Sequence, residues 1–230
     1  MSALPMSALA LLLLWGVIVG LDLVSVPQGL LSRPLVAASV AGFLAGDPVA
    51  GMRVGALLEL FALDVLPVGA SRYPEYGPAA VGAAVLAAGL PQPGGIGVGA
   101  VLGLLVALPA GWTLEWIRHA NARHVHRLSA ALSAGSTAAI RRLQYAGMAR
   151  DGIRSALVTT AALGAAVVLR ERLGPSATLP ALLTPVLVGA GAAAAISGAV
   201  RTAGGGRRLR WVGFGLAGGL IVAVALAVAA

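Results

Sequence analysis

The chain has no cysteine and no lysine in its 230 residues. Without cysteine there is no disulfide, no thiolate nucleophile and no Cys-ligated metal centre. Charge is scarce as well: 10% of residues are charged and 59% are hydrophobic, whereas soluble domains carry about 25% charged residues. With a mean hydropathy of +0.93, an ordinary soluble domain is excluded. The length accommodates about seven or eight membrane segments of roughly 20 residues, with no room beside them for a sizeable soluble domain. All sixteen basic residues are arginine and the net charge is +8. These arginines cluster between apolar segments, as in cytoplasmic loops under the positive-inside rule, so no nucleic-acid partner is expected. Walker A, Ser-x-x-Lys, G-x-S-x-G and H-E-x-x-H patterns are all missing, which argues against an ATP-driven pump on this chain alone.

The apolar segments read as 5–24, 34–46, 48–68, 76–92, 95–117, 152–169, 177–200 and 210–229. The first has no basic residue before it, unlike a signal peptide, and is expected to be retained. The second is too short for a straight span. It starts at Arg33-Pro34, just after Pro27-Gln28-Gly29. A short apolar segment with proline and glycine interruptions predicts a re-entrant hairpin or a broken helix near residues 26–46, of the kind found where backbone lines a protein-enclosed cavity. The expected fold is therefore all-α and polytopic, a single membrane-embedded unit over 1–230. Residues 118–151 form its basic cytoplasmic connection. Arg118, Arg123, Arg127, Arg141, Arg142, Arg150 and Arg154 read as one solvated basic stretch touching anionic headgroups. It is predicted to form helices separated by Gly135. Arg201, Arg207, Arg208 and Arg210 mark a second inner connection, with Gly204-Gly205-Gly206 as a flexible turn. Trp112, Trp116 and Trp211 are placed as interfacial anchors.

The stretch from Ser32 to Ala70 is apolar yet holds Arg33, Asp47, Arg53, Glu59 and Asp64. Asp47, Gly51, Gly55 and Glu59 recur every four residues, so on a helix they form one slanting row. Gly51 and Gly55 are expected to let another helix approach closely. Acids inside a membrane segment must face protein, water or a ligand. Glu59, among Leu57, Leu58, Leu60 and Phe61, is the foremost candidate, because a carboxylate accepts hydrogen bonds from sugar hydroxyls. The plain alternative is an ion pair to Arg33 or Arg53 that only joins helices. Asp47 precedes Pro48 and suits a helix cap, which competes with direct ligand contact. Asp64 is placed to break a helix ahead of Pro67. The loop Ser71–Pro78 reads as a gate or an interfacial turn. His119, His124 and His126 match no zinc spacing, and neither metal nor cofactor is expected.

These residues resemble the membrane-embedded IIC subunit of the mannose/sorbose-type phosphotransferase system. The resemblance rests on Ser32-Arg33-Pro34-Leu35-Val36, Gly46-Asp47, Gly51-(x)3-Gly55-(x)2-Leu58-Glu59, Ala62-Leu63 and Val68-Gly69-Ala70, with Leu21-Asp22 and Gln28 upstream. It is ordered over roughly residues 15–90. Asp64 and the Tyr73–Pro78 run depart from the family pattern. The resemblance implies a sugar permease without catalysis of its own, in a bacterial plasma (inner) membrane. It also implies a hetero-oligomer with a IID membrane subunit, and cytoplasmic IIA and IIB proteins that supply the phosphoryl group. Residues near the sugar would be Glu59, Asp47, Gln28 and Asp22. An ion-coupled secondary transporter and a non-transporting scaffold are the competing readings.

Overall fold

Proline, glycine and one aspartate set the first helix ends. A computed structural model describes residues 4–65, 72–174, 180 and 182–203. Helix α1 covers Met6–Val24, α2 Pro34–Leu44 and α3 Pro48–Ala62. Pro34 and Pro48 each sit in the first turn of their helices, where a missing N–H costs nothing. Asp47 caps α3 by accepting from the Ala50 N–H at 2.9 Å, and Gly46 turns the corner with a φ of +90°. The expected interruption near 26–46 is therefore present. Residues after Val24 leave the helical path, and α2 has 11 residues, about 16 Å of helix. That is close to half the hydrocarbon thickness of about 30 Å.

Helix α4 is Tyr76–Ala88, α5 Gly94–Arg127, α6 Ser129–Ser133, α7 Thr137–Leu173 and α8 Leu183–Ala203. There is no strand among the described residues. Among the described residues four helices (α1, α5, α7 and α8) are long and apolar enough to cross a membrane. Helix α4 was expected as a further span over 76–92. It has 13 residues, and all of them from Gly77 to Ala87 are buried. It is a central rod contacted by α1, α2, α3, α5 and α7. Its alanines and glycines permit this crowding: a Cβ on Gly82 would stand 2.7 Å from that of Ala162 on α7.

The basic connection is mostly helical. Helix α5 runs from its apolar part on to Arg127, α7 begins at Thr137, and α6 lies between. Gly135, at a φ of +74°, separates α6 from α7 as the sequence predicts, and Ser136 caps α7. The last apolar segment 210–229, Gly204–Gly206, Arg207, Arg208, Arg210, Trp211, Val68-Gly69-Ala70 and Ser71 lie outside the described residues, as does the side chain of Arg201.

Candidate functional site

The α2–α3 hairpin is closed by small residues. A Cβ on Gly51 would stand 2.5 Å from the Ala38 carbonyl oxygen and 2.6 Å from Gly42 Cα. One on Gly55 would stand 2.9 Å from the Pro34 oxygen. The Asp47–Gly51–Gly55–Glu59 row therefore faces α2, with the two backbones in contact along it.

At the open end of the hairpin, Glu59 meets the start of α2. Arg33 donates to Glu59 Oε1 from Nε at 2.6 Å and also from a terminal nitrogen. The Leu35 N–H donates to Oε2 at 3.1 Å. Glu59 thus neutralises Arg33 and satisfies an orphan amide of the α2 first turn, where negative charge is favoured. Both side chains keep part of their surface open, 35% for Arg33 and 19% for Glu59. Arg53 is exposed on α3 and is not the partner.

Asp22 is buried near the C-terminal end of α1. Its oxygens accept from the Gly29 N–H at 2.6 Å and the Ser32 N–H at 2.8 Å. It therefore ties down the loop that carries Gln28. That residue is exposed and holds a left-handed φ of +59°, which non-glycine residues rarely adopt and which costs of order 1–3 kcal/mol. Ser32 and Arg33 are consecutive, so Asp22, the Gln28 loop, Arg33 and Glu59 form one connected group. A small cleft of about 60 Å³ opens beside it, lined by Ser32, Arg33, Pro34, Tyr73 and Tyr76 among others. Asp47 is not part of this group. It lies twelve positions from Glu59, about 18 Å along α3, so one hexose does not reach both.

Asp64 follows the end of α3, in agreement with its expected place. The 72–75 stretch lies across α5: the Glu75 N–H donates to the Ala107 oxygen at 2.9 Å, and Gly111 leaves space for the Tyr73 carbonyl. The histidines are dispersed. His124 Nδ1 meets Arg150 at 2.9 Å, and His119 lies 4.0 Å from Glu115. The described residues hold no metal-binding group of His and acidic side chains.

Arg154 corrects the sequence reading. It is not on a solvated stretch but buried, because two acids take up its donors. It bonds both oxygens of Glu75, the second at 2.8 Å, and Asp151 Oδ1 at 2.9 Å. Ser25 completes the network by donating to Asp151 Oδ2 at 2.8 Å. This cluster joins α1, α7 and the start of α4. The available signal was small residues in step with it: Ser155 and Thr159, four apart on α7, face Gly20 and Gly16 on α1.

A family model described as "PTS system sorbose-specific iic component" matches residues 6–230. Among curated proteins, the sorbose-specific EIIC component of Lacticaseibacillus casei is 37% identical over 65 residues, 28% of this chain and 23% of that protein. The fructose permease IIC component of Bacillus subtilis (strain 168) is 29% identical over 149 residues, 65% of this chain and 54% of that protein. The chain thus spans about a quarter and about half of the curated relatives it matches. A solved structure titled "Structure of membrane protein" aligns over 97% of this chain and 92% of its own, with a TM-score of 0.76 at 20% identity. The mannose transporter ManYZ, solved with microcin E492, aligns over 99% and 96%, with a TM-score of 0.57 at 20% identity. At these identities the structural likeness establishes the shared fold.

Proposed function

Because the chain belongs to the sorbose-specific IIC component family of the phosphotransferase system, we propose that it is the sugar-conducting subunit of such a system. It binds a hexose or related sugar at the open end of the α2–α3 hairpin and passes it across a bacterial plasma membrane. The chain does no phosphoryl chemistry itself. A IIB protein, charged by IIA, phosphorylates the arriving sugar, and a IID membrane subunit completes the path. The phosphorylated sugar no longer fits the pathway, so transport does not reverse.

The observation that carries this reading is the charged group at the hairpin end: Glu59 bonded to Arg33, which lines a small cleft, with the Asp22-anchored loop that carries Gln28 ending at Ser32 on the same cleft. Ionised or polar groups held within a membrane protein mark solute paths. Gln28 offers an amide and Glu59 a carboxylate to sugar hydroxyls, Arg33 donates beside them, and Asp22 holds the loop in place. Asp47 belongs to the same path at the hairpin tip, as a separate station for the sugar. Gly51 and Gly55 keep the two helices together.

A second reading has a specific observation in its favour. The Glu59 carboxylate bonds Arg33 and the backbone of α2, as a helix-joining staple would require. Co-expression with the IID partner and sugar uptake with and without phosphorylated IIB separate the two. Uptake that depends on phosphorylated IIB supports the permease. No uptake in any combination supports the scaffold, and uptake driven by an ion gradient without phosphorylated IIB supports an ion-coupled transporter.

A further inference from the structure

Helices α5 and α7 leave two adjoining cavities of opposite character. The first, about 350 Å³, is lined by Ser25, Arg118, Asn121, Gln144, Arg150 and Asp151 together with apolar side chains. The second, about 430 Å³, is lined by Trp116, Ile153, Leu157 and Val158 among others, and is mainly apolar. Ile117 and Arg150 line both and form their common wall.

The polar cavity carries excess positive charge. Arg150 donates to Asn121 Oδ1 at 2.7 Å and meets His124 Nδ1 at 2.9 Å. Neither partner is an acid. Arg127 and Arg142 lie close enough to act on the same imidazole, and none of these three arginines is ion-paired among the described residues. Asp151, the acid on the cavity wall, bonds Ser25 and shares Arg154 with Glu75, so the wall sets two arginines, Arg118 and Arg150, against one carboxylate. Arg118 lies over the Tyr73 ring, 4.8 Å from its centre, at the same wall. Below the cations the surface turns apolar and open: Trp116 is 69% exposed, Ile153 64% and Leu157 68%. Tryptophan at such a boundary suits the headgroup level of a bilayer.

We propose that the paired cavities bind one anionic phospholipid. Its phosphate sits against Arg150 and Arg118, and an acyl chain follows the groove past Trp116, Ile153 and Leu157. A soluble phosphate ester would use the first cavity and leave the groove empty. A partner helix would leave Arg150 without an acid unless it brought its own. A lipid satisfies both cavities at once, since basic pockets between membrane helices hold anionic headgroups. The site uses different side chains from the proposed sugar site and adjoins it at Tyr73, which bonds Arg118 and also lines the small cleft.

Native mass spectrometry of the full-length protein, after equilibration with equal amounts of phosphatidylglycerol and phosphatidylcholine, tests it. The expected result is one retained phosphatidylglycerol in preference to phosphatidylcholine. Arg150→Gln should lower the preference about fivefold, from roughly 1 kcal/mol per arginine near the surface. Leu157→Trp, a change at an exposed position that fills the groove without altering charge, should reduce lipid retention, and Arg53→Gln should change nothing. Equal retention of the two lipids overturns the proposal. So does displacement by glycerol phosphate with Leu157→Trp silent, which would assign the cavity to a soluble ester. Lipid bound only in the absence of a co-purifying protein subunit overturns it too, and would assign the groove to that subunit.

Discussion

Arg154 and Gln28 are the two residues whose positions demand most explanation. Arg154 is a buried cation held by two carboxylates on α7 and at the start of α4. Removing one member of such a cluster strands the remaining charges away from water, at a cost of about 3–5 kcal/mol. Arg154→Met should therefore lower the thermal unfolding temperature in detergent far more than Arg141→Met, a change on the exposed arm of α7. An equal effect of the two would mean that the cluster does not hold α1, α4 and α7 together. Gln28 is exposed in a left-handed conformation that glycine adopts freely. Gln28→Gly should leave unfolding unchanged or slightly later while sugar uptake falls, and unchanged uptake would remove Gln28 from the site. The sequence marked Gln28 as a candidate without showing its left-handed backbone, and gave no sign that Arg154 is buried. Gln28 stood out by its place between Pro27 and Gly29. Arg154 follows six other arginines in a polar stretch, and its main partner is 79 positions away. A charge pattern alone does not show a contact at that separation.

At the scale of elements, the α2–α3 hairpin was legible because its signals are local: a short apolar run, two prolines at helix starts and glycines four apart. Gly51→Ala should destabilise by about 1–3 kcal/mol, because the added methyl meets backbone atoms of α2 that have no rotamer to change. Gly164→Ala is the contrasting case. It lies inside α7 with nothing within 4 Å of the added Cβ, and should stabilise by up to about 1 kcal/mol. Thermal unfolding of both variants in one detergent checks the pair; equal behaviour would mean that the hairpin is not closed by glycine contact. Helix α4 is shorter than the apolar segment 76–92 and is enclosed by other helices, which the sequence did not show. An alanine- and glycine-rich apolar run looks the same whether lipid or protein surrounds it. Only its neighbours show that Gly77–Ala87 lies inside the molecule.

On the scale of the whole molecule, the polar arms of α5 and α7 put most of the described arginines at one end, with Arg170 and Arg172 at the other end of α7. From the positive-inside rule we propose that the Arg123–Arg150 end lies in the cytoplasm. The lack of native cysteine makes every introduced thiol unique. In intact cells a membrane-impermeant maleimide should label Glu171→Cys and spare Arg141→Cys until the membrane is opened; the reverse pattern would invert the topology. Within this frame the Glu59–Arg33 end of the hairpin is the proposed point where a sugar meets the protein. The most direct measurement is uptake of radiolabelled hexose by cells carrying the complete system with Glu59→Gln, at matched amounts of protein in the membrane. The account predicts uptake at least about tenfold below wild type, which corresponds to 1.4 kcal/mol or more, with the subunit still inserted. Wild-type uptake by that variant would contradict it and leave Glu59 as a joint between helices.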